Sequence, residues 1–295
     1  LGESPLQMQA VVVAYALTMA VVIPASGWLA DRFGTRRVFL AAIVLFTLGS
    51  AACAASPNLN WLTASRVLQG LGGALLLPVG RLAVLRAYPR EQFLEAMSFV
   101  AMPGLIGPLV GPTLGGWLVQ AASWHWIFLI NIPVGILGAL ATLRFMPAGR
   151  GEKPPAFDLG GYAMLVVAML AISLALDGLG GLGMKHLLVL LLLLLGLASL
   201  TAYWLHALRV PAPLFAPRLF GIPSFRVGLL GNLFARIGSG AMPYLIPLLM
   251  QLGMGYSPAQ AGMLMLPVAL AGLSMKRLVS PIIGRWGYRR VLMVN

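Results

Sequence analysis

An arginine inside an apolar run is the first residue of this chain whose chemistry needs explaining. Arg66 opens the segment Arg66-Val67-Leu68-Gln69-Gly70-Leu71-Gly72-Gly73, about a turn and a half into an apolar stretch that begins near Trp61. A charge at that depth in lipid is costly unless it faces a polar interior. Gln69 lies one turn on, with Gly70 and Gly73 alongside. Arg66 therefore reads either as part of an inward-facing polar site or as an arginine snorkelling to the interface that Asn60 and Trp61 mark. An arginine beside a carboxylate keeps that acid ionised, and withdrawing it lets the acid take a proton, so helix movement can be coupled to proton movement. No partner acid is legible, because Glu3, Asp31, Glu91, Glu95, Glu152, Asp158 and Asp177 all fall at loops or helix ends. Arg236 is a second embedded cation, nearly three turns into its span. Asn232 precedes it by one turn on the same face, and the pair could line a cavity in which an acid or water meets the charge.

Two further patterns carry physical content. In Gly27-Trp28-Leu29-Ala30-Asp31-Arg32-Phe33-Gly34-Thr35-Arg36-Arg37, Gly27 and Asp31 share a helical face, Gly34 can take the left-handed conformation that ends a helix, and Thr35 can cap the next. The expected product is a tight hairpin. Arg36 and Arg37 in a first helical turn oppose the macrodipole, and Asp31 is the local anion expected to offset them. Such a turn either fixes topology alone or acts as a latch on a cytoplasmic gate. It returns as Arg285-Trp286-Gly287-Tyr288-Arg289-Arg290-Val291, where Gly284 replaces the acid and Ser280 replaces Gly27. The other pattern is Gly104, Gly107, Gly111 and Gly115, a stripe without side chains that lets another helix approach closely. It is interleaved with Pro108 and Pro112, which membrane helices tolerate when neighbours satisfy the freed carbonyls.

The elements that position these residues follow from composition. Hydrophobic residues make up 60% of the chain, charged residues 9%, and mean hydropathy is +0.92, which excludes a soluble domain of 295 residues. Nine apolar stretches are long enough to span a bilayer: 8–30, 38–56, 61–84, 96–120, 125–146, 159–177, 187–206, 227–251 and 258–280. The fold class is all-α, a polytopic membrane bundle. Net charge is +13, but the cations alternate by loop. Arg32, Arg36 and Arg37, then Arg86 and Arg90, then Arg144, Arg150 and Lys153, then Arg209, Arg218 and Arg226, then Arg285, Arg289 and Arg290 lie in the odd-numbered connections. The even ones carry only Lys185. Positive residues retained on the cytoplasmic side place the first residue outside and the last inside, and leave no reason to invoke nucleic acid. The ends look unlike natural termini, with Leu1 in place of Met and a helix beginning at Arg290, so a piece of a longer protein is expected. Lone Cys53 reads as a packing residue.

At this point the ordered motifs resemble a known family over essentially the whole chain. Gly27 to Arg37 is similar to the loop signature between the second and third helices of the major facilitator superfamily, which would make the first span here helix two. Arg66 to Gly73 resembles the fourth-helix motif, whose arginine the resemblance implicates in proton coupling together with Gln69 and Gly70. Gly104, Gly107, Pro108, Gly111, Pro112, Gly115 and Gly116 resemble the fifth-helix signature of antiporters. Trp124-His125-Trp126-Ile127-Phe128-Leu129-Ile130-Asn131-Ile132-Pro133 looks like the sixth-helix entry of fourteen-helix drug:proton antiporters, in which Arg more often stands at the place of His125. The resemblance implies helices two to six at residues 1–147, a linker and inserted helix pair at 148–210, and the start of the second half at 211–295. It further implies a monomeric antiporter of the bacterial inner membrane, exchanging protons for a lipophilic, often cationic small molecule. An exporter of an amino acid, sugar or siderophore on the same fold is the alternative.

An enzyme is not expected. His125, His186 and His206 sit at helix ends without ligand spacing, no nucleophile and base stand together, and neither metal nor cofactor is implied.

Overall fold

The computed structural model describes residues 5–89, 114–148, 154–180 and 185–265, with isolated positions among the rest. Among the described residues the secondary structure is helical throughout. The helices are α1 (Pro5–Val22), α2 (Ser26–Phe33), α3 (Thr35–Ala54), α4 (Leu59–Ala87), α5 (Trp126–Leu129), α6 (Asn131–Phe145), α7 (Leu159–Gly180), α8 (His186–Ala207), α9 (Pro223–Leu248) and α10 (Pro258–Leu264). Six helical segments among the described residues are long and apolar enough to cross a membrane: Gln7–Phe33, Thr35–Ala54, Leu59–Ala87, Trp126–Phe145, Leu159–Gly178 and His186–Ala207. They coincide with six of the expected spans to within a few residues. Of the other three, α9 carries the eighth, while 96–120 and 258–280 lie partly outside the described residues.

The first span holds a local surprise. It is not one α-helix, because a 3-10 turn at Ile23–Ala25 separates α1 from α2. Pro24 has no N–H to give to the preceding turn, so the helix tightens there and resumes at Ser26. Gly34, at φ 88°, then separates α2 from α3. A side chain at that backbone conformation is strained by about 1–3 kcal/mol, so Gly34→Ala should lower stability by that amount. A thermal melt of the purified protein in detergent checks it, with Gly27→Ala as reference, since a Cβ at Gly27 meets nothing within 4 Å. Thr35 was expected to cap α3, but Gly34 occupies the cap position and Thr35 is already the first helical residue, buried, with no capping bond from a side chain.

Two compact units can be described separately. The first comprises Leu1–Phe93 and His125–Val227, the second Leu94–Trp124 and Gly228–Asn295. In the first, α4 packs on both α1 and α3, α3 also packs on α6, and α7 pairs with α8. Small residues set the α3–α4 contact. A Cβ on Gly72 would lie 2.4 Å from the Phe46 nitrogen and 2.6 Å from the Ala42 oxygen, and one on Gly49 would lie 2.5 Å from the backbone of Gln69. Without a hydrophobic drive between helices in lipid, such close approach is what holds a bundle together. The α7–α8 pair repeats the device, with buried Ala168, Ala171 and Ala175 on α7 and Gly196 on α8 against Ile172. Leu187, Leu190, Leu191, Leu194 and Leu197 leave an exposed apolar face on α8 whose natural solvent is hydrocarbon.

Candidate functional site

Arg66 turns inward. Its Nε donates to the Val11 carbonyl oxygen of α1 at 3.3 Å and its Nη1 to Gln69 Oε1 at 2.6 Å, while the guanidinium stacks on Tyr15 with Cζ 4.0 Å from the ring centroid. Gln69, 2% exposed, in turn donates through Nε2 to Ser50 Oγ on α3 at 2.7 Å, and Ser50 donates to the Phe46 carbonyl at 2.9 Å. Cys53 Sγ stands 4.0 Å from the same Gln69 Oε1. The cluster thus ties α1, α3 and α4 together in the membrane-embedded part of the bundle. The orientation of Gln69 follows from its partners, because only its oxygen can accept from arginine and only its nitrogen can donate to a serine whose proton is already given away.

The neighbouring glycines have a definite role here. A Cβ on Gly70 would come within 2.9 Å of Thr18 Cβ, and one on Gly73 within 2.6 Å of the Tyr15 hydroxyl oxygen. They open the face of α4 on which α1 lies, bringing Tyr15 over Arg66. A cation on an aromatic face contributes about 0.5–2 kcal/mol, more when water is excluded. Among the described residues Asp31 pairs with Arg86 and Asp158 meets His206, so Arg66 is held there by neutral acceptors and a ring.

The loop motif is arranged differently from expectation. Asp31 pairs with Arg86, near the end of α4, and not with Arg36 or Arg37. Arg36 instead donates through Nη2 to the Leu143 carbonyl of α6. The reason is geometric. Asp31 sits on α2 before the Gly34 turn and faces the end of α4, whereas Arg36 lies beyond the turn on α3, which packs on α6. Both partners of the Asp31–Arg86 pair are more than a third exposed, so it holds orientation and contributes at most about 1 kcal/mol. Arg32 and Arg37 are exposed, and nothing crowds Gly27. In the second copy Gly287 also has positive φ, 73°, the counterpart of Gly34, while Ser280 and Gly284 lie outside the described residues.

Gly104, Gly107 and Gly111 are helical positions, and Gly115 and Gly116 lie in a helical stretch at 114–121. Among the described residues, a Cβ at Gly104, Gly107, Gly111 or Gly115 meets nothing within 4 Å. Pro108 and Pro112 lie outside the described residues. Asn232 and Arg236 are one turn apart on α9, both exposed.

Sequence reasoning missed three contributors to the Arg66 cluster: Tyr15, Ser50 and Cys53. Each is embedded in an apolar or small-residue run and reads as core; the one available signal is that Ser50 and Cys53 stand together in Gly49-Ser50-Ala51-Ala52-Cys53 on one helical face. It also missed how the segment before α7 is seated. Trp28 Nε1 donates to the Pro155 carbonyl at 3.0 Å, Phe157 packs between Trp28 and Tyr162, and Tyr162 donates to the Val21 carbonyl at 3.1 Å. Asp158 caps α7 through the Gly161 N–H at 2.9 Å and meets His206 Nε2 at 2.8 Å.

Helices of bilayer length, close-packed on glycine and joined by an embedded arginine network, define a multipass membrane protein. The chain belongs to the Major Facilitator Superfamily, whose family profile matches residues 1–295. Among curated proteins it is 55% identical over 295 residues to the "Putative multidrug resistance protein MdtD" of Pectobacterium carotovorum subsp. carotovorum (strain PC1), covering 100% of this chain and 63% of that one. The protein of the same name from Serratia proteamaculans (strain 568) is 55% identical over 293 residues, covering 99% of this chain and 61% of that one. The chain therefore spans about three-fifths of the length of these relatives. Solved structures of the same fold include a peptide transporter POT in complex with sulfate, with a TM-score of 0.65 and 20% identity, covering 98% of this chain and 62% of that chain. A POT family transporter in complex with a thioalcohol conjugated peptide gives 0.66 and 21%, covering 98% of this chain and 63% of that one. At these identities the likeness shows the fold alone.

Proposed function

We propose that this chain is part of a secondary active exporter of the bacterial inner membrane, a monomeric antiporter that moves hydrophobic drugs or other toxic compounds outward in exchange for protons. The observation that carries the reading is the Arg66 cluster. A fixed positive charge is held between α1, α3 and α4 by groups that cannot neutralise it, at a depth where a carboxylate brought near would be held ionised and one taken away would be free to protonate. The names of the relatives point to multidrug export, and the Gly104 to Gly116 motif to exchange. Residues 1–147 then supply helices two to six of the first half, 148–210 the linker and inserted pair, and 211–295 the start of the second half. In this reading the first residue lies outside and the last inside, which the alternation of arginines in the loops supports. Rocking of the halves about a midplane site gives alternating access, with the Asp31–Arg86 pair closing the cytoplasmic end.

Ethidium efflux from energised cells producing the full gene product tests this. Efflux should be fast with a proton gradient and stop when a protonophore collapses it. A protein that reaches the membrane and moves no dye under any gradient would end the drug assignment and leave a metabolite exporter of the same fold. Efflux indifferent to the protonophore would end the proton coupling.

A further inference from the structure

The inserted helix pair carries a cavity that the efflux reading does not use. It encloses about 500 Å³, within the range of roughly 300–1,000 Å³ typical of ligand sites, and is lined by Leu165 of α7, Leu200, Tyr203 and Trp204 of α8, and Phe215 and Phe220 of the connection that follows. Its few polar groups are already satisfied. The Tyr203 hydroxyl donates to the Phe215 carbonyl at 3.1 Å and accepts from the Phe215 N–H at 2.7 Å, and Thr201 donates to the Leu197 carbonyl at 2.9 Å. The cavity therefore offers an occupant apolar surface and no hydrogen-bonding site, which suits a hydrocarbon chain. Trp204, Phe215 and Phe220 are each more than a third exposed, so the cavity has an open, aromatic-edged side.

Charge supplies the other half of the argument. Arg209 follows Trp204 by five residues, Arg218 precedes Phe220 by two, and Arg226 follows Phe225, whose ring packs edge-on against Phe220 at 5.7 Å. All three arginines are exposed. No Asp or Glu occurs anywhere after Asp177, and the nearby Asp158 side chain is buried, its Oδ1 held by His206 and the Gly161 N–H and its Oδ2 without a hydrogen-bond partner among the described residues. Topology selection alone explains cations on this side, but it explains neither an apolar cavity lined by residues close to them in sequence nor the ring contacts that run from Trp204 through Phe220 to Phe225.

We infer that this cavity is a binding site for an anionic phospholipid of the cytoplasmic leaflet, with an acyl chain in the cavity between α7, α8 and the 208–222 connection and the phosphate on Arg209 and Arg218. The inference is independent of what the protein transports.

The test uses the whole chain in nanodiscs of equimolar dioleoylphosphatidylglycerol and dioleoylphosphatidylcholine, which share acyl chains and differ in charge, followed by native mass spectrometry of retained lipid. The native protein should keep phosphatidylglycerol in preference. Arg209→Gln with Arg218→Gln should reduce that preference by roughly fivefold per arginine, and lysine at both positions should restore it. Thr201→Trp, which fills the cavity, should lose the retained lipid altogether. For a variant that fails to fold, bromine-labelled lipid in the native protein supplies the same answer: brominated phosphatidylglycerol should quench tryptophan emission more than brominated phosphatidylcholine, with the difference gone in Trp204→Phe. Equal retention of the two lipids, or a preference that survives both glutamines, overturns the site. Displacement by inorganic phosphate at equal concentration shows an anion site without the acyl chain, and also overturns it.

Discussion

Arg66→Ala is expected to slow gradient-driven dye efflux on the order of tenfold or more while leaving the protein folded in the membrane. The guanidinium donates to Val11 and Gln69 and stacks on Tyr15, so alanine removes one charge and three contacts from the junction of α1, α3 and α4. A charged hydrogen bond contributes about 1.5–3 kcal/mol, so the loss of rate through this interaction alone is on the order of ten- to a hundredfold. Arg66→Lys separates charge from shape. Lysine keeps the positive charge but has no planar fork to hold Gln69 while lying on a ring, and should retain only part of the rate. Gln69→Glu gives the sharpest discrimination. It places a carboxylate where Oε1 now accepts from Arg66 at 2.6 Å and gives up the Nε2 bond to Ser50, and it should stop efflux, because a neutralised arginine has no charge left for a moving acid. If Gln69→Glu transports normally, Arg66 is a structural strut and the coupling role assigned to it fails. Ethidium efflux with and without protonophore, beside surface quantification of each variant, reads all three.

The contrast between Arg66 and Tyr15 shows what a sequence of this kind exposes and what it hides. A cation in an apolar run is conspicuous because its burial is costly, and the spans are conspicuous because the hydrocarbon thickness requires about 20 apolar residues each. Loop arginines mark topology for the same reason. Tyr15 and Ser50 cost little in a membrane helix and look like their neighbours; only the packing of α1 and α3 on α4 makes them partners of Arg66 and Gln69. Pairings between distant segments are hidden further. Asp31 lies five residues from Arg36 yet pairs with Arg86, and Trp28 reaches Pro155, because crossing helices and not chain proximity decide who meets. Charge pattern and motif order were legible; partner choice was not. Gly34 was legible for a third reason, since a tight turn between two helices needs a positive φ that few other residues supply.

The largest stability effect is expected at Gly72. Gly→Ala in the middle of an ordinary helix is stabilising by about 0.5–1 kcal/mol, because alanine restricts the unfolded chain more. Gly72 should reverse that sign. Its added Cβ would lie 2.4 Å from the Phe46 nitrogen and 2.6 Å from the Ala42 oxygen, and neither can swing aside as a side chain would, since both belong to the backbone of α3. Accommodation requires α3 and α4 to separate, which also pulls Ser50 from Gln69, whose bond crosses the same contact at 2.7 Å. Overpacking a close interface costs about 1–3 kcal/mol for modest additions, so Gly72→Ala should fall in that range and Gly72→Val at or beyond its upper end. Gly80 is the internal control on the same helix. A Cβ there meets only the far edge of the Phe39 ring at 3.3 Å, a side chain that can rotate, so Gly80→Ala should change the melting temperature little. Melting curves in detergent would show the three variants in that order. If Gly72→Ala instead melts at or above the native temperature, α3 and α4 are not in close contact at this point and the path from Ser50 through Gln69 to Arg66 loses its scaffold.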